Sequence, residues 1–189
     1  MERKTYKPKG YQVSPRSVDS IREKAVQVRQ ILGLGPDRFQ AAPLLDVLSV
    51  NYGIDVDIVE DHDMPFHIEA ECYPSLLFMR IPNRVWELIE QGDPRARFTF
   101  MHEIGHLVLQ HDFSLHREST NRAHKAYEDS EWQADQFSAE LLMPLSVINE
   151  KKLFDPHDLA EYFDASLQAA EVRLQQLRKR NELRERQGK

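Results

Sequence analysis

The sequence predicts an α+β protein: two helices, a small sheet of three short strands, then helices to the end. Three observations carry this. Apolar residues recur at helical spacing up to residue 53, they alternate with charges between residues 54 and 72, and helical spacing returns after about residue 83.

The first helix is expected over about residues 15–32. Ser14-Pro15 offers a cap and a first-turn proline, and Val18, Ile21, Ala25, Val28 and Leu32 form one stripe before Gly33. A second runs to Tyr52, with Leu44, Leu45, Val47 and Leu48 turned inward and Gly53 as its stop. Ile54, Val56 and Ile58 alternate with aspartates, and Ile68, Ala70 and Cys72 alternate with His67, Glu69 and Glu71; both read as strands. Residues 76–81 make a third, apolar on both faces, closed by Pro82 and followed by a short helix around Val85 to Ile89. Asp93-Pro94 opens a helix to about Gln110. Ser130 and Gln133 suggest a capping box for the next, which reaches Met143-Pro144. Asp155-Pro156 and Ser166 begin two more, with no internal repeat anywhere.

With 189 residues, 41% hydrophobic and 30% charged, the chain suits one domain with an appendage and excludes a disordered or low-complexity protein. The expected division is a basic tail over 1–17, a main domain over 18–144 and a helical C-terminal segment over 145–189 ending in a second basic tail. A single cysteine excludes a disulfide framework and a Cys-rich zinc module, and suits a reducing compartment. No apolar run spans a bilayer and no signal core follows the N-terminus, so the expectation is a cytoplasmic protein without membrane attachment. Net charge is −6, yet both ends are basic, so the acidic excess lies in the body and would repel phosphate. The tails are expected to be solvated.

The chemistry lies in His102-Glu103-Ile104-Gly105-His106. Residues four apart on a helix lie about 40° apart around its axis, so both histidines face one way and can share a tetrahedral metal, with Glu103 placed to act on water. An HExxH match arises by chance in roughly 3% of sequences of this composition, so it needs support. The ordinary alternative is a surface helix with two polar histidines. Phe98, Phe100, Met101, Ile104, Leu107, Val108 and Leu109 argue against it, because they make the helix apolar nearly all round and a buried histidine needs partners. Glu131 can be the third ligand, and Asp135, one turn on, can accept a hydrogen bond from the far nitrogen of a ligating histidine. Alone, this acidic first turn would be ordinary helix-dipole chemistry. Small Ala134, Ser138 and Ala139 let the two helices approach closely. His111, nine residues beyond His102, would sit about 180° away and is left out of the site, beside the helix's last carbonyls.

The run Arg97 to Leu107 followed by Glu131 to Pro144 resembles the ImmA/IrrE family of metallo-endopeptidases, and more widely the gluzincin arrangement in which a glutamate completes HExxH. The resemblance covers roughly residues 18–177 and is strongest in 92–144; Ser138, where alanine is usual, is a mild departure. It implies a small zincin-like sheet on the HExxH helix and a second ligand helix. It also implies one Zn2+ ion on His102, His106 and Glu131, with Glu103 as the base, in an endopeptidase that cuts a helix-turn-helix repressor and so derepresses phage, mobile-element or stress-response genes.

Such a hydrolase needs a donor for the developing oxyanion, and Tyr127, His124, His116 and Tyr73 are the candidates. Strand 76–81 could receive an extended substrate by edge pairing, and residues 112–129 could rim the site or merely connect the two ligand helices. The competing reading is a zinc-bearing regulatory module that binds a partner with little or no proteolysis; retention of Glu103 favours the enzyme. An unselective degradative protease fits a cytoplasmic chain poorly. Cys72 as a nucleophile lacks an assigned base. The cadence of residues 158–170 resembles a helix-turn-helix, but Arg173 is the first cation on its second helix, so packing or partner recognition is expected there rather than DNA reading. The sequence leaves the oligomeric state open.

Overall fold

The computed structural model describes residues 6–35, 37–111 and 124–184. Among them the chain forms a three-stranded mixed sheet and eight α-helices, the α+β order expected. Helix α1 (Val18–Ile31) starts at a Ser17 cap, whose hydroxyl accepts from the Ser20 N–H. It does not start at Ser14-Pro15, because the Arg16 N–H donates to the Tyr127 carbonyl (2.9 Å) and holds that stretch extended. Helix α2 (Leu44–Tyr52) stops at Gly53, whose φ of 64° suits a residue without Cβ.

Strands β1 (Asp55–Val59), β2 (Glu71–Tyr73) and β3 (Phe78–Pro82) lie in the order β1-β3-β2, parallel on the first side and antiparallel on the second. The third strand begins two residues later than expected, since residues 74–76 form a 3-10 turn and Leu77 adopts φ 49°. It is also central, with both edges paired, so it cannot receive an extended substrate; among the described residues the outer edges belong to β1 and β2.

Helices α3 (Asn83–Glu90) and α4 (Pro94–Val108) follow, then α5 (Ser130–Leu142), α6 (Leu145–Lys151), α7 (Pro156–Phe163) and α8 (Leu167–Lys179). Only α6 had no sequence expectation. Helix α5 lies between α4 and α1. Gly105 permits the close approach of α4 and α5: a Cβ there would sit 3.1 Å from the Phe137 ring and 3.3 Å from the Ala134 Cα. One apolar cluster runs from Ile21 through Phe100, Ile104 and Phe137 to Leu159, Phe163, Leu174 and Leu177, so the C-terminal helices share the core of the ligand helices. Arg173 is fully buried, its guanidinium forked onto Glu140 at 2.7 and 2.9 Å, and is spent on packing. No helix among the described residues is long and apolar enough to cross a membrane.

Candidate metal centre

Two helix starts place the ligands. Asp93 caps α4, its Oδ1 accepting from the N–H groups of Arg95 (3.0 Å) and Ala96 (2.8 Å). Asp129 caps α5 in the same way through Trp132 (3.1 Å), one residue earlier than the expected capping box, because the Ser130 hydroxyl and the Gln133 amide are engaged elsewhere. His102 and His106, one turn apart, then face Glu131 in the first turn of α5. The two Nε2 atoms are 3.0 Å apart, His102 Nε2 is 3.1 Å from Glu131 Oε2, and His106 Nε2 is 3.4 Å from Glu131 Oε1. Donors about 2.0–2.1 Å from a tetrahedral ion lie roughly 3.3 Å from one another, so the three residues fit a zinc-sized ion without rearrangement. Among the described residues they form the one such group of three or more metal-binding side chains.

The far nitrogens are also engaged. His102 Nδ1–H donates to Asp135 Oδ1 (3.0 Å), as the four-residue spacing of Glu131 and Asp135 suggested. Burial pulls the His102 pKa down, but hydrogen bonds to Asp135 and Glu131 outweigh it and raise the metal-free ring to about 10. His106 is held neutral, well below its ordinary value, first by burial and then by the neighbouring His102 and His111.

His111 corrects the sequence reading. The 180° argument assumed that the helix continued, whereas α4 ends at Val108 and Gln110 takes φ 54°. The His111 N–H returns to the His106 carbonyl (3.0 Å) and the Gln110 N–H to that of Leu107 (3.1 Å), a Schellman ending. This turn swings the His111 ring back so that its Nδ1 lies 2.8 Å from His106 Nδ1, with Nε2 3.0 Å from Gln133 Oε1. Burial lowers its pKa to about 4.

Glu103 opens into a cleft of about 540 Å³, lined also by His106, Glu131, Tyr11 and residues 70–73 of the sheet's free edge. Burial raises its carboxyl pKa, against the opposing hydrogen bond from Cys72. Burial first, then Glu103, raises the Cys72 pKa, so the thiol stays protonated and donates to the carboxylate; this removes it as a nucleophile. Of the candidate oxyanion donors, Tyr73 lines the cleft. Tyr127 does not: it is exposed and lines a separate hollow with Pro15 and Trp132. Nor does His124, which is buried with Nε2 3.1 Å from Asp129 Oδ2. His116 lies outside the described residues.

The N-terminal segment was missed as a component. From Lys9 to Arg16 it is no solvated tail but a strap along residues 127–130. The N–H groups of Lys9 (2.8 Å) and Gly10 (3.2 Å) donate to the buried Asp129 carboxylate, and that of Tyr11 donates to the Ser130 hydroxyl (3.1 Å). The Ser130 N–H donates back to the Tyr11 carbonyl (3.0 Å), and that of Val13 to Glu128 (2.7 Å). The Lys9 ammonium is 3.7 Å from Asp135. Nothing in the strap's composition marks it, since its partners are about 120 residues away.

Two histidines one turn apart on a buried helix, with a glutamate from a crossing helix, define a candidate metal centre of the HExxH type. Residues 55–175 match the family described as IrrE N-terminal-like domain, and the chain belongs to this ImmA/IrrE family of metallopeptidases. No curated protein matches the chain. Among solved structures it is similar in fold to a Mycobacterium tuberculosis transcriptional regulator, with a TM-score of 0.55 and 16% identity. That match covers 81% of this chain and 46% of the other, so this chain spans about half the length of that protein.

Proposed function

We propose that the protein is a zinc-dependent, site-specific endopeptidase of the cytoplasm that cuts a protein substrate, a helix-turn-helix transcriptional repressor. The observation that carries the hydrolytic part is Glu103 in an open cleft beside three converged metal donors. A structural metal site gains nothing from a carboxylate so placed. The regulatory part rests on the family and is in keeping with the transcriptional regulator of similar fold.

His102, His106 and Glu131 would hold the ion, which when bound supplies Lewis-acid activation of water and of the scissile carbonyl. Glu103 accepts the water's proton and delivers it to the leaving amine; burial raises its pKa and so makes it a stronger base for that proton. The free edge of β2 pairs with an extended substrate and lays it across the cleft. Tyr73, whose hydroxyl donates to Glu71 Oε2 (3.1 Å), and Tyr11 from the strap are the tyrosines that line the cleft and stand as candidate donors to the oxyanion.

The test compares protein N-termini in cells expressing the wild type or Glu103→Gln, at rest and under stress. New N-termini confined to the wild type and concentrated in one repressor are expected. Their absence, with the wild type folded and loaded with zinc, would turn the reading into that of a binding module.

A further inference from the structure

The geometry points to His111 and Gln133 as positioning residues that fix the tautomer of His106, so that its Nε2 lone pair is presented to the metal. This rests on the metallopeptidase reading of His102, His106 and Glu131.

The chain of hydrogen bonds has a direction, and it starts at the backbone. Gln133 Nε2 lies 2.9 Å from the Ser14 carbonyl oxygen and 2.8 Å from that of Tyr127. Both partners only accept, so the amide nitrogen must face them; the reversed amide would set oxygen against two oxygens. Gln133 Oε1 therefore faces His111 Nε2 at 3.0 Å and accepts, which places the neutral ring's hydrogen on Nε2 and leaves Nδ1 as an acceptor. His106 Nδ1, 2.8 Å away, must then donate. With its hydrogen on Nδ1, His106 Nε2 carries a lone pair, and that atom is the one 3.0 Å from His102 Nε2 and 3.4 Å from Glu131 Oε1.

All three side chains of the relay are at most 3% exposed, so water is a poor substitute for a lost link. On the other ligand, Asp135 does the same for His102 in one step, as an anion that can only accept. At His106 a neutral relay achieves it in two, with its end fixed by the strap and by the turn before α5. A network serving only to satisfy buried groups would not need to match the metal-facing nitrogen. This one ends with a lone pair where a donor is required.

The experiment has two readouts. In metal-free wild type labelled with 15N-histidine, long-range proton–nitrogen spectra should show His106 as the Nδ1–H tautomer and His111 as the Nε2–H tautomer. Zinc Kd, measured by chelator competition, should weaken about 10–100-fold in His111→Leu and Gln133→Met. The double variant should be no weaker than His111→Leu alone. His111→Asn, whose amide oxygen can stand near the Nδ1 position, should recover most of the affinity. An Nε2–H tautomer at His106, or an unchanged Kd in both single variants, overturns the proposal. If a variant fails to fold, the wild-type spectrum still decides. A folded wild type that takes up no zinc refutes the metal reading itself, and the relay with it.

Discussion

Gly10→Ala tests whether the strap is seated as described. A Cβ at this position would lie 2.4 Å from the Ser130 hydroxyl oxygen, 2.6 Å from the Glu131 Cγ and 2.9 Å from the Glu131 backbone nitrogen. Distances under 3.0 Å demand displacement, and one of the three contacts is backbone in the first turn of α5. Either the strap lifts, loosening its hydrogen bonds to Asp129 and Ser130, or Glu131 shifts. Overpacking of this kind costs about 1–3 kcal/mol. For a chain of this size each kcal/mol moves Tm by about 2–4 °C, so a fall of roughly 2–12 °C is expected. Gly35→Ala is the matched control: nothing lies within 4 Å of its added Cβ and its φ is not positive, so Tm should hold or rise slightly. Zinc Kd separates the two modes, weakening if Glu131 is pushed and holding if the strap yields. Wild-type Tm and Kd in Gly10→Ala would refute the described packing of residues 9–16 on α5.

Glu103→Gln should retain zinc and Tm while peptide cleavage falls by at least about 100-fold, whereas His102→Ala and Glu131→Ala should lose zinc, all read by metal analysis beside a cleavage assay. Removing the hydroxyl that serves the oxyanion, by Tyr73→Phe or Tyr11→Phe, should lower kcat about 100-fold with metal content unchanged; Tyr127→Phe should leave kcat alone. Arg173→Met removes the buried fork on Glu140 and leaves the carboxylate to Arg22 and Gln136, which should cost about 1.5–3 kcal/mol in denaturant unfolding. Glu140 also sets a pH dependence. Although burial acts to raise it, Arg173 and Arg22 hold its folded pKa below the ordinary value. Its contribution is therefore complete above the unfolded-state pKa of about 4.3 and is lost as pH falls through the depressed folded value. The Tm gap between wild type and Glu140→Gln should be widest at neutral pH and shrink in acid; a constant gap would contradict the assignment.

The convergence of the candidate metal donors was legible because each part of the group lies within one helix, where spacing fixes direction. His102 and His106 share a face by periodicity alone, and so do Glu131 and Asp135. That α4 is buried followed from its apolar residues, and Ala134 marked the close crossing, whose other side, Gly105, only the structure shows. What was not legible lies at helix ends and in distant pairings. His111 escaped because Gln110, not glycine, adopts the left-handed turn, and nothing in its identity announces that the helix stops two residues earlier. Without that stop, periodicity points the ring the wrong way. Gln133 was read as a cap because it stands three residues after a serine, yet Asp129 was already there. The second strand shortened because alternation in residues 68–72 requires only an extended chain, and β3 pairs with just Glu71 and Cys72 of it, and then with Tyr73. The strap escaped because a bridge between Gln12 and Asp129 has no local pattern.

The strap also sets an order of assembly. In synthesis Lys9, Gly10 and Tyr11 emerge about 120 residues before their partners Asp129 and Ser130. Closing so long a loop is entropically costly and slow, and it is rewarded only once α5 exists. A nascent chain that has produced α4 but not α5 therefore carries His102, His106 and Glu103 without Glu131, the Asp135 partner or the Gln133 link to Ser14. The strap waits for α5, so the candidate site is completed only after that helix is made, when most of the core is already available to hold it.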